Sequence, residues 1–326
     1  MPQPRPYVVI AGSGRSGTNR LLDAFDLHPV TVCRSEPEEM IGGDFEALPG
    51  AHPPEPPLGE DFEARWARAV ARARRRQSDR DRIDALDKTY YAGRPLARPV
   101  LKLLARRRLR QDLLGRLAPG LRGQEWDRPM LCTNADALDA ALLVLKIRPS
   151  SWLLRTHFGD PDQIVVHQIR EPRAFLNSWH NRWVARDGGG AETVYRATLR
   201  VLPAILADFG EDPARFDRYS EETLIESELW LWRHLNETLH LALRDSPRYR
   251  LVTYEAFDRD PAAETAEVLK LCGLDAPTSV LERVGAMQNT LFGARHGATL
   301  DPALCERAMA RVLEGSPLPD LLARSA

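Results

Sequence analysis

The chain has 326 residues, with 45 Lys and Arg against 46 Asp and Glu, a formal net charge of −1 and 43% hydrophobic residues. That length supplies ample core for one large domain, and the balanced charge gives no global field to draw nucleic acid or a membrane surface. The four cysteines, Cys33, Cys132, Cys272 and Cys305, are far apart and form no CxxC pair, so neither a zinc site nor a disulfide framework is expected and a reducing compartment suits the chain. No apolar run reaches the roughly 18 residues of a membrane span. The opening Met-Pro-Gln-Pro-Arg-Pro leads straight into an apolar segment with no room for a signal peptide. A soluble, cytoplasmic protein is expected.

In chain order, Tyr7-Val-Val-Ile-Ala11 reads as a buried strand, and Gly12, Gly14 and Gly17 as a turn where backbone can approach a ligand closely. From Thr18, the residues Leu21, Leu22 and Phe25 fall at helical spacing. Strand, Gly-rich turn and helix N-terminus together read either as a cradle of backbone N–H groups for an anion or as a Gly-rich turn with no ligand. Gly12-xxxx-Gly17 has the spacing of a nucleotide-triphosphate P-loop, yet Thr18 and Asn19 stand where that loop carries Lys and Ser/Thr, and Arg15 sits inside the loop. His28-Pro29 ends the helix, and Val30 to Cys33 reads as a second strand followed by Arg34-Ser-Glu36-Pro37. In a doubly wound sheet the loops after neighbouring strands converge on one crevice, so Glu36 is either a solvated loop acid or a carboxylate facing the Gly-rich loop.

Residues 42–60 read as a Pro- and Gly-rich loop, Asp61 to Leu86 as a helix, and Leu96 to Leu117 as another. In the first of these helices Phe62, Trp66, Val70 and Ala73 share one face, and Arg65, Arg68, Arg72 and Arg75 share another. The Arg stripe is either a solvated face or a cap that draws an anionic acceptor or the donor phosphates. Residues 42–128 therefore look like a helical subdomain inserted into an α/β domain. The α/β rhythm resumes with a strand at Ala141 to Arg148, a short helix at Ser151 to Phe158 and a strand at Gln163 to Ile169. That last strand ends at Arg170-Glu-Pro172-Arg173, where Pro172 suits the first turn of a helix with a Leu176, Trp179, Trp183 stripe. Ser178 lies beside the stripe, so Arg170 and Ser178 are either structural or a guanidinium fork plus a hydroxyl for a second phosphate. Helices are expected at Thr193 to Leu206, Glu221 to Arg244 and from Asp260-Pro261 to Leu271, with Gly273 as C-cap, a strand at Tyr249 to Tyr254, and a final helix from Pro302.

With these residues in view, the chain resembles the sulfotransferases that use 3′-phosphoadenosine 5′-phosphosulfate (PAPS). Gly12-Ser-Gly-Arg-Ser-Gly-Thr-Asn19 looks like the 5′-phosphosulfate loop, and Ile164-Val-Val-His-Gln-Ile-Arg170-Glu-Pro-Arg-Ala-Phe-Leu-Asn-Ser178 like the 3′-phosphate motif. Val144 to Arg148 and Leu251-Val-Thr-Tyr-Glu-Ala-Phe257 follow the family's order, and Glu36-Pro37 resembles the Glu-Pro pair of carbohydrate-type members. Asn19 replaces a common hydroxyl residue, and Glu171 a usual Asp. The resemblance implies a single α/β domain over 1–326, a P-loop-like parallel sheet flanked by helices, with the 42–128 insertion lining the acceptor pocket.

It further implies that Arg15 stabilises charge on the bridging oxygen. Gly14, Ser16, Gly17, Thr18 and Asn19 would hold the 5′-phosphate, and Arg170 and Ser178 the 3′-phosphate. Arg295, in the basic Gly293-Ala-Arg295-His296-Gly297 loop, would contribute to donor binding by a looser resemblance. Glu36 is the expected general base, with His157, His167 and His180 as alternatives. No metal is expected, the product nucleotide is 3′-phosphoadenosine 5′-phosphate, and the acceptor is a small molecule or carbohydrate, with a sugar or natural-product hydroxyl favoured. A P-loop nucleotide kinase and a non-catalytic nucleotide-binding protein are the alternatives.

Overall fold

The structure, a computed structural model, describes residues 6–36, 70–78, 87–106, 116, 125–128, 130, 132–147, 163–184, 190–287 and 300–325. The strands, in chain order, are β1 (Tyr7–Ala11), β2 (Thr31–Ser35), β3 (Arg76–Ser78), β4 (Glu125–Asp127), β5 (Leu142–Lys146), β6 (Gln163–Ile169) and β7 (Tyr249–Thr253). Five of them form one sheet in the order β2-β5-β1-β6-β7, and every pairing within it is parallel. The expected α/β architecture is what is found.

A parallel sheet is covered on both faces, which is why its strands are apolar runs rather than alternating ones. Side-chain parity along β1 sends Val9 and Ala11 to one core and Val8 and Ile10 to the other. The second core holds Leu21, Leu22 and Phe25 of α1 (Thr18–Asp26). The first holds Ala73, Tyr90, Tyr91, and Ala97 and Leu101 of α2 (Ala97–Ala105). The described part of the 42–128 segment therefore packs into the core of the sheet. Arg34 of β2, fully buried, ties it down further by donating from Nη1 to the carbonyls of Ala73 and Arg76.

Within the insertion two expectations change. The helix read from Asp61 to Leu86 gives way at Arg76, where β3 pairs antiparallel with β4, Gln77 opposite Trp126. The buried Gln77 and Trp126 pair across a ribbon that helical periodicity could not reveal. The helix read from Leu96 to Leu117 runs as Ala97–Ala105 and is capped at Arg106, beyond which only residue 116 is described before residue 125. Arg65, Arg68, His157, Arg295 and the 293–297 loop lie outside the described residues.

The remaining helices are α3 (Ala135–Ala140), α4 (Pro172–Trp183), α5 (Ala191–Thr198), α6 (Leu202–Phe209), α7 (Glu221–Leu243), α8 (Tyr254–Arg259), α9 (Pro261–Leu271), α10 (Thr278–Gly285), α11 (Pro302–Val312) and α12 (Leu318–Ser325). The single helix read over Thr193 to Leu206 is two, because Pro203 suits the first turn of a helix and not its interior. The long helix at Glu221 starts on a capping box, with Ser220 and Thr223 exchanging side-chain to backbone bonds. The short α8 was not read at all; it begins where the Thr253 hydroxyl accepts from Ala256 N–H at 3.2 Å. At the end of α9, Gly273 N–H bonds Lys270 and Leu274 N–H bonds Leu269, the expected glycine-terminated exit.

Glu228, buried in the helical layer against α5, accepts from the Thr198 hydroxyl at 2.6 Å. Burial raises its carboxyl to about 7, opposed only in part by that bond. A Glu in the unfolded chain titrates near about 4.3, so between that pH and about 7 the unfolded chain sheds a proton the folded chain keeps. The contribution of Glu228 to stability is therefore full below this window, falls as pH rises through it and is gone above it, a loss on the order of 3–4 kcal/mol. Urea melts of the wild type at pH 5 and pH 8 should show that decline, and Glu228→Gln should flatten it; parallel declines in both proteins would refute the assignment.

Candidate active site

The strand order reverses direction at β1: the chain leaves it towards β2 on one side and returns towards β6 and β7 on the other. Such a switch point opens a crevice at the carboxyl ends of the strands, and the Gly-rich loop sits there. Two contacts shape this loop. A Cβ at Gly12 would collide with the Gln168 carbonyl oxygen, and one at Gly17 would lie 2.5 Å from Cδ2 of Tyr254. Gly17 also has φ 93, a left-handed conformation that glycine adopts without penalty. Gly14, by contrast, faces open space. Close approach of backbone to β6 and α8, not flexibility, is what two of the three glycines provide.

Ser16 is fully buried and spends its hydroxyl inside the loop, donating to the Ser13 carbonyl at 2.6 Å. Thr18 is buried at the start of α1 and Asn19 is exposed. The first turn of α1 has no acidic residue and no side-chain cap, so its leading N–H groups keep their positive end for a ligand. Ser13 Oγ and both amide atoms of Gln168 are buried without a hydrogen-bond partner among the described residues. Orphaned polar groups around a Gly-rich cradle suit an oxygen-rich anion.

The loop and the β6–α4 turn meet directly. Arg15 Nε donates to Ser178 Oγ at 3.2 Å, and Arg170 Nη1 donates to the Arg15 carbonyl at 3.3 Å. Residues more than 150 positions apart in sequence thus share one site. The Arg170 guanidinium lies 4.3 Å from the Tyr254 ring centroid, stacked on the same ring that packs against Gly17. Glu171 fixes the turn by accepting from the N–H groups of Arg173 and Ala174, so the acid at that position serves as the helix cap. Burial, then Arg182 and Arg170, lower the pKa of Arg15. Burial also lowers that of Arg170, offset by Tyr254 and the carboxylates Glu255, Glu171 and Asp258.

Glu36 lies at the end of β2. Its N–H donates to the Lys146 carbonyl at 2.7 Å, and its carboxylate is ion-paired with Lys146 Nζ at the end of β5. Since β5 separates β2 from β1, Glu36 stands two strand spacings from the start of the Gly-rich loop, about 10 Å. Arg15, at φ 72, and Glu36, at φ 50, are the non-glycine residues with positive φ among the described residues. Backbone strain of this kind concentrates at functional sites.

The alternative bases fare differently. His167 is fully buried, with Nδ1 accepting from Tyr249 O–H and Nε2 donating to Asn236 Oδ1, both at 2.9 Å, the tautomer following from the amide oxygen. Burial lowers its pKa to about 4. It is a structural residue of the β6–β7–α7 packing. His180 lies on α4 with Nδ1 buried and without a partner among the described residues, and burial lowers its pKa against the opposing charge of Glu221.

Sequence reasoning missed Lys146 as the partner of Glu36, Tyr254 as the floor beneath Arg170 and Arg34 as the tie to the insertion. Lys146 had a signal, as a lone Lys closing an apolar strand in a chain whose cations are almost all Arg. Tyr254 and Arg34 had none, because their partners are remote in sequence. Arg72 and Arg75, of the expected Arg stripe, line a cavity of about 450 Å³ together with Ala71, Arg76 and Asp127. Among the described residues no cluster of three or more His, Cys, Asp or Glu is placed to hold a metal, and no helix is long and apolar enough to cross a membrane.

No protein-family model and no curated protein matches the chain. Among solved structures it is similar to the sulfotransferase domain of the olefin synthase of Synechococcus PCC 7002, with 17% identity over 94% of this chain and 88% of that one and a TM-score of 0.39. It is also similar to the sulfotransferase domain of the curacin biosynthetic pathway, with 14% identity, 96% and 97% coverage and a TM-score of 0.41. A third is retinol dehydratase in complex with androsterone and inactive cofactor PAP, with 13% identity, 96% and 82% coverage and a TM-score of 0.37. What the site can do follows from its own residues rather than from these likenesses.

The two loop glycines should respond unequally to the same methyl group. Gly17→Ala must accept both a left-handed backbone and a clash with Tyr254, and should lower unfolding free energy by about 1–3 kcal/mol or more. Gly14→Ala should stay within about 0.5 kcal/mol. Chemical denaturation of both variants tests this, and equal losses would mean that Tyr254 does not hold the loop.

Proposed function

We propose that the chain transfers a sulfuryl group from PAPS to an acceptor hydroxyl. The observation that carries this reading is the meeting of Arg15, Ser178 and Arg170, which joins a 5′-phosphate-type loop to a second, guanidinium-and-hydroxyl anion site. A donor with phosphate at both the 5′ and 3′ positions spans such a pair; a nucleoside triphosphate leaves the second site idle. Thr18 and Asn19, in place of the P-loop Lys and Ser/Thr, also favour this donor over ATP.

In this reading backbone N–H groups of residues 14 to 19 and the Thr18 hydroxyl hold the 5′-phosphate at the positive end of α1. The Ser16 hydroxyl shapes the loop, and Arg170 and Ser178 hold the 3′-phosphate. Glu36 takes the proton of the acceptor hydroxyl, whose oxygen bonds to sulfur as the bond from sulfur to the bridging oxygen breaks and its electron pair leaves with the nucleotide. Arg15 neutralises charge growing on that bridging oxygen. Lys146 pairs with the Glu36 carboxylate and aims it. The acceptor enters from the β2 and β5 side, where the insertion is anchored, and a sugar or natural-product hydroxyl is favoured. Arg295 belongs to the same proposal as a contributor to donor binding.

Calorimetry should show 3′-phosphoadenosine 5′-phosphate binding at least about tenfold more tightly than ATP with magnesium, the reverse order pointing to the kinase alternative. With an accepted hydroxyl substrate, Glu36→Gln should lower turnover by roughly 10²–10⁴-fold and leave nucleotide binding within about twofold. Arg15→Ala should likewise reduce turnover far more than nucleotide affinity; a variant that mainly loses affinity would remove Arg15 from the charge-stabilising role.

A further inference from the structure

Arg182 lies four residues after Ser178 on α4. Side chains so spaced are neighbours on one helix face, about 5–6 Å apart at Cβ. Ser178 in turn touches Arg15, and Arg170 touches the Arg15 backbone, so Arg15 links Ser178 to Arg170 while Arg182 stands one helical turn beyond Ser178. The electrostatics of Arg15 agree: after burial, Arg182 is the largest influence that lowers its pKa, ahead of Arg170, and no carboxylate opposes them. Arg170 is different, being flanked by Glu255, Glu171 and Asp258. Positive charge at the Arg15 and Arg182 end of the site is therefore opposed by no carboxylate among the described residues. Arg182 itself is half-buried, its guanidinium 5.1 Å from the Trp183 ring centroid.

We propose that Arg182 is a third cationic ligand of the bound nucleotide, gripping its terminal 3′-phosphate together with Ser178 and Arg170. This rests on the donor reading above and sharpens it. A terminal phosphate carries about −1.5 to −2 charge near neutral pH, more than one guanidinium balances. Arg170 already shares its charge with three carboxylates, so a second guanidinium beside the Ser178 hydroxyl supplies the balance, and its planar fork can engage two phosphate oxygens. The consequence is selectivity: Arg182 discriminates a nucleotide with a terminal 3′-phosphate from one with a free 3′-hydroxyl.

Binding of adenosine 3′,5′-bisphosphate and of adenosine 5′-monophosphate to the full chain, measured by calorimetry, tests this. The wild type should prefer the bisphosphate, Arg182→Gln should weaken bisphosphate binding by about tenfold while leaving the monophosphate within about twofold, and Arg182→Lys should recover part of the loss. A merely structural Arg182 would move both ligands equally, and that result, or no change in either, overturns the proposal while leaving the donor reading intact. A wild type with no preference for the bisphosphate would instead sink the donor reading, and Arg182's role with it. Thermal melts check that each variant is folded, which its half-buried surface position favours.

Discussion

Everything at the site depends on how closely the loop after β1 approaches its neighbours. Gly12 lies against the Gln168 carbonyl and Gly17 against the Tyr254 ring, with no room for a Cβ at either place. At that separation Arg170 reaches the Arg15 backbone and Arg15 reaches Ser178. Moved out by the width of a methyl group, the loop would lose both hydrogen bonds, whose lengths have little to spare. A steric constraint between backbone and ring thus becomes an electrostatic one, holding the buried Arg170 against the partly buried Arg15.

Such an arrangement is costly for a protein by itself. Guanidinium groups removed from water lose hydration, and like charges near one another raise the cost further. The lowering of Arg15 by burial and by its cationic neighbours expresses that cost. Part of it is met internally, by Tyr254 under Arg170 and by the carboxylates around that side chain. The remainder is what a multiply charged anion would relieve, and it makes anion binding and local stability two aspects of one design.

Across the crevice the logic is different. Glu36 is held by Lys146 through both backbone and side chain, at the mouth of a strand pair whose register aligns Ser35 with Lys146. Arg34, two residues earlier, anchors the insertion through the Ala73 and Arg76 carbonyls. The edge strand β2 therefore carries the tie to the proposed acceptor-side structure at Arg34, two residues before the proposed base that follows its end. A change in the insertion's position would be felt at Glu36 through the rigid strand, rather than through a flexible linker.

Local signals were enough to read β1, the Gly-rich loop, α1, β6, the Arg170-to-Ser178 turn and the long α7, because each rests on near-neighbour periodicity, a proline or a glycine within a few residues. The place of Glu36 at the end of β2 was also legible, once a doubly wound sheet was assumed. Local reasoning failed where distant chain segments decide the outcome. The β3–β4 ribbon forms between residues some fifty positions apart in sequence. The division at Pro203 had its signal in the proline itself, yet apolar periodicity on either side concealed it. Sequence by itself determined the succession of strand, Gly-rich loop and helix at residues 7–26, and the strand-to-helix turn that carries Arg170 and Ser178. Only the tertiary structure decided that Arg15 touches Ser178 and Arg170, that the Ser16 hydroxyl donates within the loop and that Lys146 pairs with Glu36. Hydrogen bonds and Coulomb interactions depend on distance in space, and the crossing connections of a parallel sheet bring together residues whose separation along the chain says nothing about it.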